Sequence, residues 1–407
     1  MPRIGFFNKQ ESMLRQIRSG NRAFNRIVER LGLEEIKEIR IFNLAGSLIS
    51  DSTLEHLSHI ANPEALILSA TRITDSGLSN LSRMQNLKRL YLNSTKIGNE
   101  GVKQLALLAN LEVLELSSSH IDDTSISYLS HFPSLKSLSL ASCKLSNDSG
   151  LYLSKISTLE SLDIRGLTAD AGLIFYHLTK LPLLNELYAD GIEVSGSDLH
   201  ELAKCASLEV LSLTSSEICS ALFVFFQHFP MLKKLNLSGN PIDTQAKLSI
   251  LEQMKFLEFL GIANTKMGKS NFEYLGNLKS LNALDVSGIP FSASSIKVLC
   301  RLHQLRKLWM EETKLGDAGV CEFGKNLSLE EFYLSSTNVT DRSALAFRNM
   351  ETLRVLDVAN TAVGPKTLNI LKNHPSLRQL FVSRAKVPKS ARREFREMNS
   401  FCKLYCD

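Results

Sequence analysis

Leu87-Lys-Arg-Leu90-Tyr-Leu92-Asn-Ser-Thr95-Lys-Ile97 returns 24 residues later as Leu111-Glu-Val-Leu114-Glu-Leu116-Ser-Ser-Ser119-His-Ile121. The pattern then runs to the end of the chain. Its first anchors stand at Pro63, Leu87, Leu111, Leu135, Leu159, Leu184, Leu208, Leu232, Leu257, Leu281, Leu305, Leu329, Leu353 and Leu377. The steps are of 24 residues except two of 25, from Leu159 to Leu184 and from Leu232 to Leu257. An imperfect copy, read as Ile36-x-x-Ile39-x-Ile41, precedes them. A period of this length marks a solenoid, in which each unit buries its apolar face only against its neighbours.

Within one copy, Leu90 and Leu92 alternate with Arg89, Tyr91 and Asn93, the period of a short strand with its leucines inward. Thr95 and Ile97 take the chain off the strand, and Gly98 and Gly101 are expected to permit the bend. Val102, Leu105 and Leu108 follow three apart, which predicts a short helix packed back on the strand. Stacking such units predicts an α/β solenoid: a parallel concave sheet of about fifteen strands, with helices on the convex face.

These residues resemble the leucine-rich repeat family, whose motif LxxLxLxx(N/T/C)xI is specific when it recurs fourteen times. The resemblance covers about residues 36–387. Ile73-Thr-Asp-Ser-Gly-Leu78 and Leu315-Gly-Asp-Ala-Gly-Val320 look like the bacterial and cysteine-containing subtypes. The family usually carries Asn after the strand, laddering neighbouring backbones. This chain has Asn there only at Asn240. Thr71, Thr95, Thr265, Thr313, Thr337 and Thr361 hold the place elsewhere, with Ser119, Ser216 and Cys143. A Thr hydroxyl is expected to make a shorter version of the same bond. Leu167, Ile192 and Ile289 predict apolar packing instead. The resemblance implies a horseshoe fold and protein–protein recognition.

The unbroken period predicts one continuous domain: an N-terminal helical cap over residues 1–35, about fifteen repeats over 36–387, and a C-terminal cap over 388–407. Leu14, Ile17, Phe24, Val28 and Leu31 give the first cap its apolar stripe; Phe395 and Met398 mark the second. No apolar run approaches the ~20 residues that span a bilayer. Residues 1–9 do not read as a secretory signal. Seven cysteines, an odd count with no CxxC pair, fit a reducing compartment. The expected location is cytoplasmic, in the chain's own cell or, for a bacterial effector, in a host cell.

The net charge of +5 is concentrated at the two ends, leaving the repeat body mildly acidic. That is not the continuous basic stripe of a nucleic-acid groove. Arg15, Arg18, Arg22, Arg26 and Arg30 line one side of the predicted N-terminal helix and read as a solvated cap face. No catalytic constellation stands out. Gly268-Lys269-Ser270 ends like a P-loop, but Ala263 stands where the upstream glycine is required. No carboxylate or cysteine completes a metal set around the histidines. We expect no cofactor, no metal and no enzyme.

The position between the inner leucines of each strand reads Arg40, Ile67, Tyr91, Glu115, Ser139, Asp163, Tyr188, Ser212, Asn236, Gly261, Asp285, Trp309, Tyr333, Asp357, Phe381. It holds the only tryptophan. Structural cross-strand packing accounts for such aromatics in part, but interfaces use them as anchors. The expected partner-binding stripe is Tyr91, Glu115, Asp163, Tyr188, Asp190, Asp285, Trp309, Glu311, Tyr333 and Phe381. A second candidate is Val224 with Phe225, expected to face outward from the 221–229 helix. The function read from these features is a non-catalytic scaffold for a protein partner. A regulatory or substrate-recognition subunit of an enzyme complex is the alternative. A nucleic-acid or acidic-membrane binder using the basic ends is the third.

Overall fold

The computed structural model describes residues 39–406, apart from 269, 270, 326 and 327. The expected N-terminal cap and its arginine row lie outside the described residues. The chain divides into two compact units, Met1–Leu208 and Glu209–Asp407. The first holds parallel strands β1 (Ile41–Asn43), β2 (Ala65–Ile67), β3 (Arg89–Tyr91), β4 (Val113–Glu115), β5 (Ser137–Ser139), β6 (Ser161–Asp163) and β7 (Glu186–Tyr188), in chain order. The second holds β8 (Val210–Ser212), β9 (Lys234–Asn236), β10 (Phe259–Gly261), β11 (Ala283–Asp285), β12 (Lys307–Trp309), β13 (Glu331–Tyr333), β14 (Val355–Asp357), β15 (Gln379–Phe381) and β16 (Lys403–Tyr405), also parallel and in chain order. Each strand but β16 is followed by a short α- or 3-10-helical segment, so the α/β solenoid expected from the period is the architecture observed.

The core repeats as the sequence does. Leu90, Leu92, Leu114 and Leu116 have no exposed surface, nor do Val102 and Leu105 of the following helical segment. The segment Ser220–His228 is a 3-10 helix, whose three-residue turn places Phe223, Phe226 and Phe229 inward. Leu167, Ile192 and Ile289 are buried as predicted.

Four expectations are corrected. The first repeat is in a different register. Ile41 pairs with Ala65 and Phe42 with Leu66, so the motif is Ile39-x-x-Phe42-x-Leu44, one 24-residue step before Pro63. Ile41 is 47% exposed, and Asn43, not Arg40, holds the outward central place. Second, the bend is not made by Gly98 or Gly101. It is made by one left-handed residue per repeat, such as Ala70, Ser94, Ser118, Asn264 and Ser336, with φ between 53° and 58°. Gly98 is extended, with φ −120°. A side chain pays for that conformation by roughly 1–2 kcal/mol, and inter-repeat hydrogen bonds hold it: Ser94 still donates to Ser117 O at 2.8 Å.

Third, the threonine hydroxyls do not ladder neighbouring repeats. Thr71, Thr95, Thr265, Thr313, Thr337 and Thr361 each donate to the carbonyl three residues back, at 2.6–2.8 Å. The side chain is too short to reach further. Asn240 does reach: it donates to Leu237 O in its own repeat and to Leu213 O in the preceding one. Fourth, residues 388–407 are more than a cap. The helix Lys389–Met398 leads into β16, which pairs with β15. Phe395 is buried, but Met398 is 58% exposed. Arg396 donates to Leu404 O, and Arg392 to Val387 O and Cys406 O. Arginines from the cap thus occupy carbonyls at the last strand, where an open edge would otherwise present them.

Two side-chain ladders run between repeats. At the position before many of the strands, opposite charges face each other: Arg40 pairs with Glu64, Lys88 with Glu112, Lys136 with Glu160, Lys233 with Glu209, and Glu330 with both Arg306 and Arg354. At the helix starts, a carboxylate of one repeat accepts from the backbone of the next. Asp51 takes Thr74 N–H, Asp75 takes Gly98, Asp123 takes Ser146, Asp317 takes Thr340 and Asp341 takes Gly364. Gly77 and Gly101 make room: a Cβ at either would lie 2.4 Å from the oxygen of Asp51 or Asp75.

Candidate functional site

Strand alternation buries the central residue of each three-residue strand and sends the side chains on either side of it away from the core. The ten residues singled out for binding divide evenly between the units. In the first, Tyr91, Glu115, Asp163 and Tyr188 are the last residues of β3, β4, β6 and β7 and Asp190 follows β7; all five are half-buried. A polar network ties several of them down. Asn93 donates to Glu115 at 2.5 Å, Ser117 and Ser139 share a hydrogen bond at 2.7 Å, and Ser139 donates to Asp163 at 2.8 Å. Arg165, which the sequence reading passed over, grips Asp163 through Nε at 2.9 Å and Nη2 at 2.7 Å. Burial pushes the Asp163 carboxyl up, but the hydrogen bonds from Arg165 and Ser139 bring it below its ordinary value. That carboxylate is therefore already neutralised within the chain.

The second unit is different. Asp285, Trp309 and Tyr333 end β11, β12 and β13 and lie side by side in register. The rings of Trp309 and Tyr333 stack at 5.3 Å between centroids, 6° from parallel, as their lateral position predicts. Trp309 also meets the edge of Phe259 at 6.3 Å. Ala283, between them on β11, is only 7% exposed. Phe259, absent from the expected set, thus completes a three-ring shelf. Phe381 belongs to another pair: it stacks on Tyr405 of β16 at 4.3 Å. Tyr405 was legible, since 24 residues beyond Leu380 stands Leu404 and beyond Phe381 stands Tyr405.

The acidic residues beside the shelf separate into paired and unpaired groups. Glu330 is held by Arg306 and Arg354, and Glu331 by Lys307 at 2.7 Å. Tyr333 donates to Glu331 at 3.0 Å; burial, and then that carboxylate, push its phenol well above the ordinary range. Glu311 has no cation among the described residues. Burial raises its carboxyl; the Ser335 hydroxyl at 3.0 Å partly offsets this, and the like charges of Asp357, Asp285 and Glu312 add to it. The unit therefore offers rings beside negative charge that the described cations do not pair with.

Val224 and Phe225 are half-buried on the 3-10 helix. Among the described residues no group of three His, Cys, Asp or Glu is placed to hold a metal, and no helix is long and apolar enough to cross a membrane.

Solved structures are similar to the chain at low identity. An internalin of Listeria monocytogenes is 19% identical, with 94% of this chain and 93% of that chain covered and a TM-score of 0.43. The mouse RP105/MD-1 complex contains a chain 18% identical, with 84% and 71% covered and a TM-score of 0.49. The complex of TLR13 with ssRNA13 contains one 18% identical, with 85% and 66% covered and a TM-score of 0.46. Among curated proteins nothing matches. The model of a leucine-rich repeat region matches residues 54–289, more than half of the sequence, and with the observed period, strand register and buried leucines this chain belongs to the leucine-rich repeat family.

Proposed function

We propose that the chain is a non-catalytic recognition scaffold that binds a protein partner through its outward sheet face, anchored on Trp309 and Tyr333. The observation that carries this reading is the half-buried stack of these rings beside a carboxylate, Glu311, that no cation among the described residues pairs with. Folding does not require large rings on the water side of a sheet, whereas interfaces concentrate binding energy in them. The surrounding charge favours a partner patch that is apolar with a basic rim. Seven unpaired thiols support a reducing compartment, in the chain's own cell or in a host cell.

The test is a titration of a captured partner. Trp309→Ala should weaken binding by about 2 kcal/mol or more, because truncating a central aromatic anchor has that cost. Ser139→Ala, in the other unit, should change affinity little, and Trp309→Ala should melt like the wild type. Equal affinity of wild type and Trp309→Ala would remove the site. Recognition of nucleic acid through the basic ends is the competing reading. It is disfavoured at the C-terminus, where Arg392 and Arg396 bind backbone carbonyls and Arg393 pairs with Glu397 at 2.8 Å. Phosphate binding would show a steep loss of affinity with salt.

A further inference from the structure

In the second unit the outward last residues of the strands from β11 to β16 run Asp285, Trp309, Tyr333, Asp357, Phe381, Tyr405, each opposite the next. Two stacked ring pairs therefore flank one carboxylate. Within each pair the planes are 6° and 4° from parallel, and the centroids are 5.3 and 4.3 Å apart. Those separations are close to the strand spacing of about 4.8 Å, so the ring faces look along the sheet from strand to strand. One face of Tyr333 is covered by Trp309 and one face of Phe381 by Tyr405. Their other faces look towards each other across β14.

Two strand steps separate these walls by about 10 Å. A flat group touching both at contact distances of about 3.5–4.0 Å fills most of that gap, and a small lean of the rings closes the rest. The floor is Asp357. Its strand neighbours on the same face are Val355 and Ala359, both short, so the slot stays open above it. One Asp357 oxygen accepts Ala359 N–H at 2.8 Å. No described cation pairs with the carboxylate, and burial holds its pKa above the ordinary value.

We propose that this slot takes an arginine side chain from an extended segment of the partner, its guanidinium sandwiched between Tyr333 and Phe381 and donating to Asp357. The inference rests on the recognition reading above and names the chemistry the partner brings. Arginine fits better than lysine because its guanidinium is planar, stacks on rings, and forks onto a carboxylate. An extended segment advances about 3.3 Å per residue. An apolar side chain two or three positions from the arginine would then reach Trp309.

The test uses peptides, since the partner is unidentified. A random phage-displayed library is selected on the full chain. Enriched peptides are synthesised and titrated against wild type, Trp309→Ala, Asp357→Asn, Phe381→Leu and Ser139→Ala. The proposal expects enriched peptides to share an arginine with an apolar residue two or three positions away. Asp357→Asn and Phe381→Leu should each weaken them by about tenfold or more, as loss of a charge-assisted bond or a stacking wall implies. Ser139→Ala should not. Lysine in place of the peptide arginine should also bind more weakly. If Asp357→Asn melts lower than wild type, Phe381→Leu decides. Peptides that need Trp309 but share no arginine, or that ignore both slot variants, overturn the slot and leave the recognition reading standing. A library that yields no peptide dependent on Trp309 overturns both.

Discussion

Asn240 bridges repeats as the threonines at the same place do not, and more fully than Ser119 and Cys143, which donate to Leu92 O and Leu116 O of the preceding repeat. It accepts Ser216 N–H at 2.8 Å and Ile218 N–H at 3.0 Å while donating to two carbonyls. Asn240→Ala would strand two buried donors, each worth about 1–3 kcal/mol when left unmade. We expect a loss of roughly 3 kcal/mol or more, whereas Thr337→Val should lose about 1 kcal/mol; chemical denaturation separates them. Asp341 shows a residue whose role depends on pH. Burial raises its carboxyl, but bonds from Thr367 and Gly364 outweigh that and leave the folded pKa lowered. The unfolded chain then binds the proton more readily. The stabilisation is full above the unfolded value of about 3.9 and is lost as pH falls through the lower folded value. Asp341→Asn should therefore flatten the fall in melting temperature below about pH 4 relative to wild type. An unchanged acid profile would show that the bonds do not favour the charged form.

At the scale of elements, helix starts and strand registers are fixed by contacts between repeats more than by local propensity. Ala at position 101 should favour an isolated helix by about 1 kcal/mol. In the chain its Cβ would lie 2.4 Å from the Asp75 oxygen, displacing the carboxylate from Gly98 N–H. Gly101→Ala should thus destabilise by roughly 1–2 kcal/mol; stabilisation in a thermal melt would mean that the ladder yields freely. The charge ladder makes a similar point. Single exposed pairs contribute little, about 0–1 kcal/mol. Glu330 nevertheless sits between Arg306 and Arg354, and Glu330→Lys would align three cations. Its melting temperature should drop at low salt and recover most of the difference at high salt. These ladders escaped the sequence reading because their partners lie about one repeat apart and their positions do not share one residue type. The left-handed bend escaped for a related reason: Ala, Ser, Asn, Glu and Arg all occupy it, and only stacking reveals that the same position turns each time.

For the molecule as a whole, nearest-neighbour stacking sets how damage travels. Leu211 and Leu237 are at most 1% exposed, with strands on β8 and β9 registered side by side. Leu→Ala at either should cost roughly 2–5 kcal/mol and broaden the unfolding transition, since a weakened repeat couples only to its neighbours. Unchanged melting would contradict a packed array. The sequence by itself determined the repeat, the strand-and-helix unit, the inward leucines and the side-by-side placement of Trp309 and Tyr333. A strict period with one apolar face permits a single register for most repeats. It did not determine which charges remain open. Asp163 looks alike in sequence to Asp357, yet Arg165 grips Asp163, whereas no described cation pairs with Asp357, which stands between Tyr333 and Phe381 on the neighbouring strands. Only the tertiary structure decided that, because balance depends on rotamers and cross-strand neighbours rather than on position in the repeat.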